Sequence, residues 1–183
     1  MKTVFGLAVA ASFAVTGSAL GADWDESIDG DLASVADGGT MISLDDGTNE
    51  VRGTVGVGGA IDEDFATFTI GAGQMITSIT LTEVIFANGN TSTGFRLYAD
   101  IGSGLEQVSF GSFTAGDVGT DYLTVWDLSD VGGGPGLGPG TYGVLLAEFT
   151  AGQQYAYEIE VIPAPGAAGL LAVGGLALAR RRR

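Results

Sequence analysis

The sequence contains no histidine and no cysteine, and its only lysine is Lys2. These gaps together remove Ser-His and Cys-His nucleophilic pairs, imidazole or thiolate zinc sites, disulfides and thiol redox chemistry. Positive charge is nearly as scarce. Four of the six arginines, Arg180, Arg181, Arg182 and Arg183, stand together at the end of the chain. Residues 23–162 therefore hold only Arg52 and Arg96 against all 22 carboxylates, a net charge of −20. That field argues against nucleic acid as a partner, and the two isolated arginines are read as ion-pair partners of nearby acids. Gly102-Ser103-Gly104 and the glycines around Gly56 neither open a helix nor carry a lysine, so no phosphate loop is present. No segment sustains a capped 3.6-residue apolar period, which confines helices to the two termini. The 183 residues leave room for one domain.

What the chain does have is two distinctive ends. Residues 1–22 begin with Lys2, continue through an apolar run from Val4 to Val15, and finish in small residues before the acidic Asp23-Trp24-Asp25-Glu26. This is the pattern of a secretory signal peptide removed by signal peptidase. Cleavage is expected after Ala22, with Ala19 and Gly21 as alternatives. At the other end, Pro163-Ala164-Pro165 leads into fourteen uncharged residues, Gly166 to Ala179, and then the four arginines. As a helix that stretch measures about 21 Å, short of a hydrocarbon layer of about 30 Å. It spans only with local thinning and snorkelling arginine stems, the arginines staying cytoplasmic.

The order of proline turn, short Gly/Ala/Leu helix and arginine cluster over residues 163–183 resembles a PEP-CTERM protein-sorting signal, in the variant whose motif is V-P-A-P. Ile162 stands in the valine position and Ala164 replaces the glutamate. The resemblance implies a transient anchor in the inner membrane. An exosortase, a membrane-embedded cysteine protease, would recognise Pro163, Ala164 and Pro165 and release the protein to the cell surface or extracellular matrix. The alternative is a permanent tail anchor without processing.

Between the ends, over residues 23–162, short segments with a period of two are bounded by glycine, aspartate and asparagine, which predicts strands. In Tyr155 to Val161 the odd positions are apolar and Glu158 and Glu160 are polar, so one face is buried and the other wet. Ala66, Phe68 and Ile70 alternate with threonines, and the run 76–86 is rich in threonine and isoleucine. With 40–44, 50–57, 94–100, 106–113, 122–126 and 141–149, about nine strands are expected in a single all-β, antiparallel sandwich.

Two stretches carry a second resemblance. Asp62-Glu63-Asp64-Phe65-Ala66-Thr67-Phe68 is similar to a D-x-D-x-F-x-F strand opening, and Gly138-Pro139-Gly140-Thr141-Tyr142 to an L-P-A-G-T-Y opening, both found in bacterial pre-peptidase C-terminal (PPC) domains. Gly94-Phe95-Arg96-Leu97-Tyr98 stands where that family has an acidic strand, and the opening Trp24 to Leu32 resembles the start of exported proteins of this type. The resemblance covers about residues 50–161. It implies a jelly-roll-like sandwich serving as a secreted accessory or binding module without catalysis of its own.

Three chemical readings of the residues follow. Asp29-Gly30-Asp31, Asp45-Asp46-Gly47 and Asp62-Glu63-Asp64 offer the oxygen-rich, glycine-turned loops that a hard cation wants. If calcium is bound, Asp29, Asp31, Asp62 and Asp64 are its first candidates. Asp-Gly is equally ordinary turn chemistry, and no stretch fits an EF-hand. Exposed flat rings would stack on sugars, and on a strand Tyr122 and Trp126 share one face and could bind carbohydrate, unless both belong to the core. A paired-carboxylate glycosidase requires a cleft that so short a sandwich scarcely offers. The sequence reads as an exported, exosortase-processed surface or matrix protein with a non-catalytic structural or adhesive role, with extracellular polysaccharide as a candidate partner. A carbohydrate-binding module and a glycoside hydrolase are the alternatives.

Overall fold

Thr93–Asp100 alternates between buried and partly exposed residues along nearly its whole length, and the same two-residue rhythm organises most of the molecule. The computed structural model describes residues 22–56, 62–87, 91–132, 134–148 and 153–164. Among them are nine strands: β1 (Trp24–Asp25), β2 (Thr40–Met41), β3 (Gly47–Val55), β4 (Asp62–Ile70), β5 (Gln74–Phe86), β6 (Thr93–Asp100), β7 (Leu105–Phe113), β8 (Gly140–Glu148) and β9 (Gln153–Pro163). They form two sheets, in the orders β1-β3-β9-β5 and β2-β4-β8-β6-β7. Pairing among the seven longer strands is antiparallel, and the two-residue strands β1 and β2 join β3 and β4 in parallel. The expected all-β sandwich is the observed architecture.

The core lies between the sheets and turns on Phe95 of β6. Its ring centroid is 5.7 Å from Phe113, 4.8 Å from Tyr122, 5.1 Å from Trp126 and 5.6 Å from Tyr157 of the opposite sheet. Several of these contacts are edge-to-face, the arrangement that ring quadrupoles favour. A smaller cluster of Phe65, Leu145 and Ala147, flanked by Val35, Tyr98 and Leu105, stands apart from this core.

Three expectations need correction. Residues 122–126 do not form a strand. Tyr122–Thr124 is a 3-10 turn, because Asp121 Oδ1 accepts from the Leu123 amide at 3.1 Å and the turn continues through Trp126 N to Tyr122 O at 2.9 Å. Such local side-chain bonds outcompete a ladder. The turn sends Tyr122 and Trp126 inward, 2% and 5% exposed, so neither ring is available on the surface to stack on a sugar. Helix is not confined to the termini either, since a single turn, α1, occupies Glu26–Asp29. Arg52 does pair, with Glu50 and Glu83, each at 2.7 Å. Arg96 has no ion pair among the described residues and instead lies 5.7 Å over the Phe110 ring.

Pro163 closes β9, and Ala164 N donates to Gly73 O at 2.6 Å, so the ordered strand reaches just past the expected boundary at 162. Pro165, the hydrophobic stretch, the arginine cluster and residues 1–21 lie outside the described residues. Among the described residues no helix is long and apolar enough to cross a membrane.

Phe95→Ala removes the ring that joins both sheets to the 122–126 turn. Its expected cost is about 3–5 kcal/mol, read as a lower urea midpoint at unchanged slope.

Candidate functional site

The chain segment before β2 is shaped by its own side chains. Asp25 Oδ1 accepts from the Ser27 amide at 2.9 Å and from Ser27 Oγ at 2.6 Å, which caps α1. Asp29 Oδ2 accepts from the Asp25 amide at 2.9 Å. Gly30, at φ 99°, ends the turn in a conformation that a side chain would strain. Leu32 is buried in the main core and Trp24 packs against it, so the segment is pinned on both sides of α1. Ala33 O accepts from the Phe65 amide at 3.1 Å, which ties the stretch after Asp31 to β4 beside Asp64.

Glu26 thereby reaches across β3. Its Oε2 accepts from the Thr54 amide at 2.7 Å and its Oε1 from the Leu32 amide at 3.3 Å. Gly53 makes the passage possible. A Cβ there would lie 2.5 Å from Glu26 Cδ and 2.5 Å from Tyr155 Oη, so any side chain would displace the carboxylate.

Glu26, Asp31 and Asp64 each bring a carboxylate oxygen within 4.8 Å of the other two. Asp31 is exposed, Glu26 partly buried and Asp64 fully buried at 0% exposure. Among the described residues, the Asp64 oxygens and the buried Tyr155 and Tyr157 hydroxyls make no hydrogen bond of full geometry, although the Tyr155 hydroxyl lies close enough to Asp64 to interact with its charge. Buried polar groups are almost always satisfied by protein, water or an ion. Burial, followed by the charge of Glu26, pushes the Asp64 pKa up to about 9, with the nearby Tyr155 hydroxyl opposing weakly. Burial raises Glu26 too, against the pull of its two backbone donors. Tyr155 is held well above the usual phenol range, first by burial and then by the charge of Asp64.

Of the four predicted cation ligands, the structure brings Asp31 and Asp64 together. Asp62 lies close enough for its charge to raise both Asp64 and Glu26, while its Oδ2 accepts from the Gly56 amide at 3.1 Å. Asp29 is outside the group, its carboxylate occupied in bracing α1. Glu26 was missed. Its sequence signal is the Asp25-x-Ser27 cap, which fixes a turn and so sets the direction of the glutamate after the cap. The cluster lies between two clefts. One, of about 210 Å³, is lined by Glu26, Arg52, Gly53, Glu83 and Tyr155 among others. The other, of about 470 Å³, is lined by Asp31, Ser34, Asp37, Asp62 and Glu63 with Leu32 and Ala33.

No family model matches the chain, and no curated protein does. Among solved structures it is similar to the pre-peptidase C-terminal domain of collagenase from Bacillus anthracis, with a TM-score of 0.39 and 16% identity over 67% of this chain and 93% of that one.

The raised Asp64 pKa sets a pH dependence. The folded state holds a proton that the unfolded chain releases near 3.8, so stability from this group is complete below that pH and declines as pH rises towards about 9. In chelator, Asp64→Asn is expected to flatten the decline, by at most about 1.4 kcal/mol per pH unit for one proton. Denaturation midpoints of the two proteins from pH 4 to pH 9 measure the difference, and parallel profiles would refute the assignment.

Proposed function

We propose that this chain is an exported, non-catalytic structural or adhesive module of a bacterial cell surface or matrix, whose sandwich is braced by a calcium ion at Glu26, Asp31 and Asp64. The observation that carries the cation reading is Asp64: a fully buried carboxylate with no hydrogen bond of full geometry among the described residues, and with two further carboxylates within 4.8 Å. An all-oxygen, acidic donor set suits a hard cation that accepts irregular geometry. A divalent ion would supply the compensation that a buried carboxylate otherwise lacks. It would also relieve self-repulsion in a stretch carrying 22 carboxylates.

Catalysis by paired carboxylates is disfavoured by the same geometry. The oxygens converge within 4.8 Å, whereas glycosidase carboxyls stand about 5–9.5 Å apart across the substrate, and the buried Asp64 lines neither cleft. Export and sorting rest on the two ends of the sequence. Signal peptidase would act near Ala22 and an exosortase near Pro163, Ala164 and Pro165, after transient residence in the inner membrane.

Thermal unfolding of the full chain is expected to show a higher midpoint in millimolar calcium than in equal magnesium, by mass action on the native state. Asp64→Asn and Gly53→Ala should each abolish the calcium increment, the second by displacing Glu26. Equal shifts with both ions would remove the site. In an exosortase-bearing bacterium, mass spectrometry is expected to find a released form lacking the arginine cluster. Replacing both Pro163 and Pro165 by alanine should keep the protein with the membrane.

A further inference from the structure

Resting on that cation reading, we propose that the site is a receptor for a neutral, polyhydroxylated glycan, held by coordination of adjacent sugar hydroxyls to the bound calcium. The three carboxylates contribute between three and six oxygens, while calcium takes six to eight. Asp64 is sealed in the interior and Glu26 is anchored by the Thr54 and Leu32 amides. Asp31 is exposed and forms part of the wall of the 470 Å³ cleft. Glu26 lines the smaller cleft and Asp31 the larger, so on the Asp31 side the unfilled positions of an ion among the three are open to a ligand in the larger cleft.

The cleft wall selects the ligand's chemistry. Its charged groups are Asp31, Asp37, Asp62 and Glu63, with no lysine or arginine among its lining residues. Ionised carboxylates only accept hydrogen bonds, so a bound molecule must bring donors. An anionic polymer is repelled, since one divalent ion leaves six carboxylates, counting Glu26 and Asp64, with excess negative charge. A vicinal diol meets both conditions. Its oxygens replace two waters on the ion, and its hydroxyl protons point to the flanking carboxylates. The lining also contains no aromatic residue, and Tyr122 and Trp126 are buried, so recognition proceeds by coordination and hydrogen bonding without ring stacking.

Affinity electrophoresis of the full chain through gels containing soluble mannan, dextran or polygalacturonate tests this, in calcium, in magnesium and in chelator. Thermal unfolding on the same samples reports whether calcium is bound. Retardation by mannan or dextran in calcium alone is expected. A double substitution, Asp37→Asn with Glu63→Gln, should keep the calcium-dependent midpoint while weakening retardation about tenfold, the usual loss for a charged hydrogen bond. A calcium-raised midpoint without retardation by either neutral polymer would overturn the glycan inference and leave the cation site standing. Retardation by polygalacturonate in preference, or by any polymer in chelator, would overturn it too. Absence of any calcium-specific midpoint shift would instead overturn the underlying cation site.

Discussion

A carboxylate removed from water stays ionised only if something nearby stabilises its charge, and Asp64 has no exposure and, among the described residues, no hydrogen bond of full geometry. Much of the surrounding structure is a response to that constraint. Without a cation, the group resolves it by keeping a proton well into the alkaline range. With one, the ion shares its charge with Glu26 and Asp31 and the proton is released.

The N-terminal segment holds little regular structure. β1 and β2 are two residues long and α1 is a single turn. Its conformation comes from short-range bonds, Asp25 to Ser27 and Asp29 to Asp25, and from the burial of Leu32. The glycine at 53 then removes the one obstacle between Glu26 and the interior. Each device is small, yet together they carry an acidic side chain over one sheet towards a strand of the other. The phenol rings of Tyr155 and Tyr157 stack at 6.1 Å, and both buried hydroxyls lie within the field of Asp64 and Glu26.

The rest of the sandwich is conventional in its physics. Phe95 and its ring partners weld the sheets together independently of any ion. The many carboxylates of residues 23–162 repel one another, a cost that the packed core must offset.

Strands were legible wherever apolar and polar residues alternate, as in Thr93–Asp100 and in Tyr155 to Val161, because a two-residue period is a property of the local chain. Exclusion of thiol and imidazole chemistry was equally legible, since composition alone decides it. The turn at 122–126 was not, because a single aspartate before the run redirects it and aromatic residues favour either outcome. Asp31, Asp62 and Asp64 could be nominated from their spacing, but Asp29 looked identical to them and Glu26 unremarkable. Separating the two required knowing that Asp29 turns back to its own helix while Glu26 passes over Gly53. The fold class and the acidic character thus belong to the chain as written. The convergence of Glu26, Asp31 and Asp64, and the burial that makes Asp64 demand a partner, exist only once distant strands pair, because pairing sets which carboxylates meet and which lose their water.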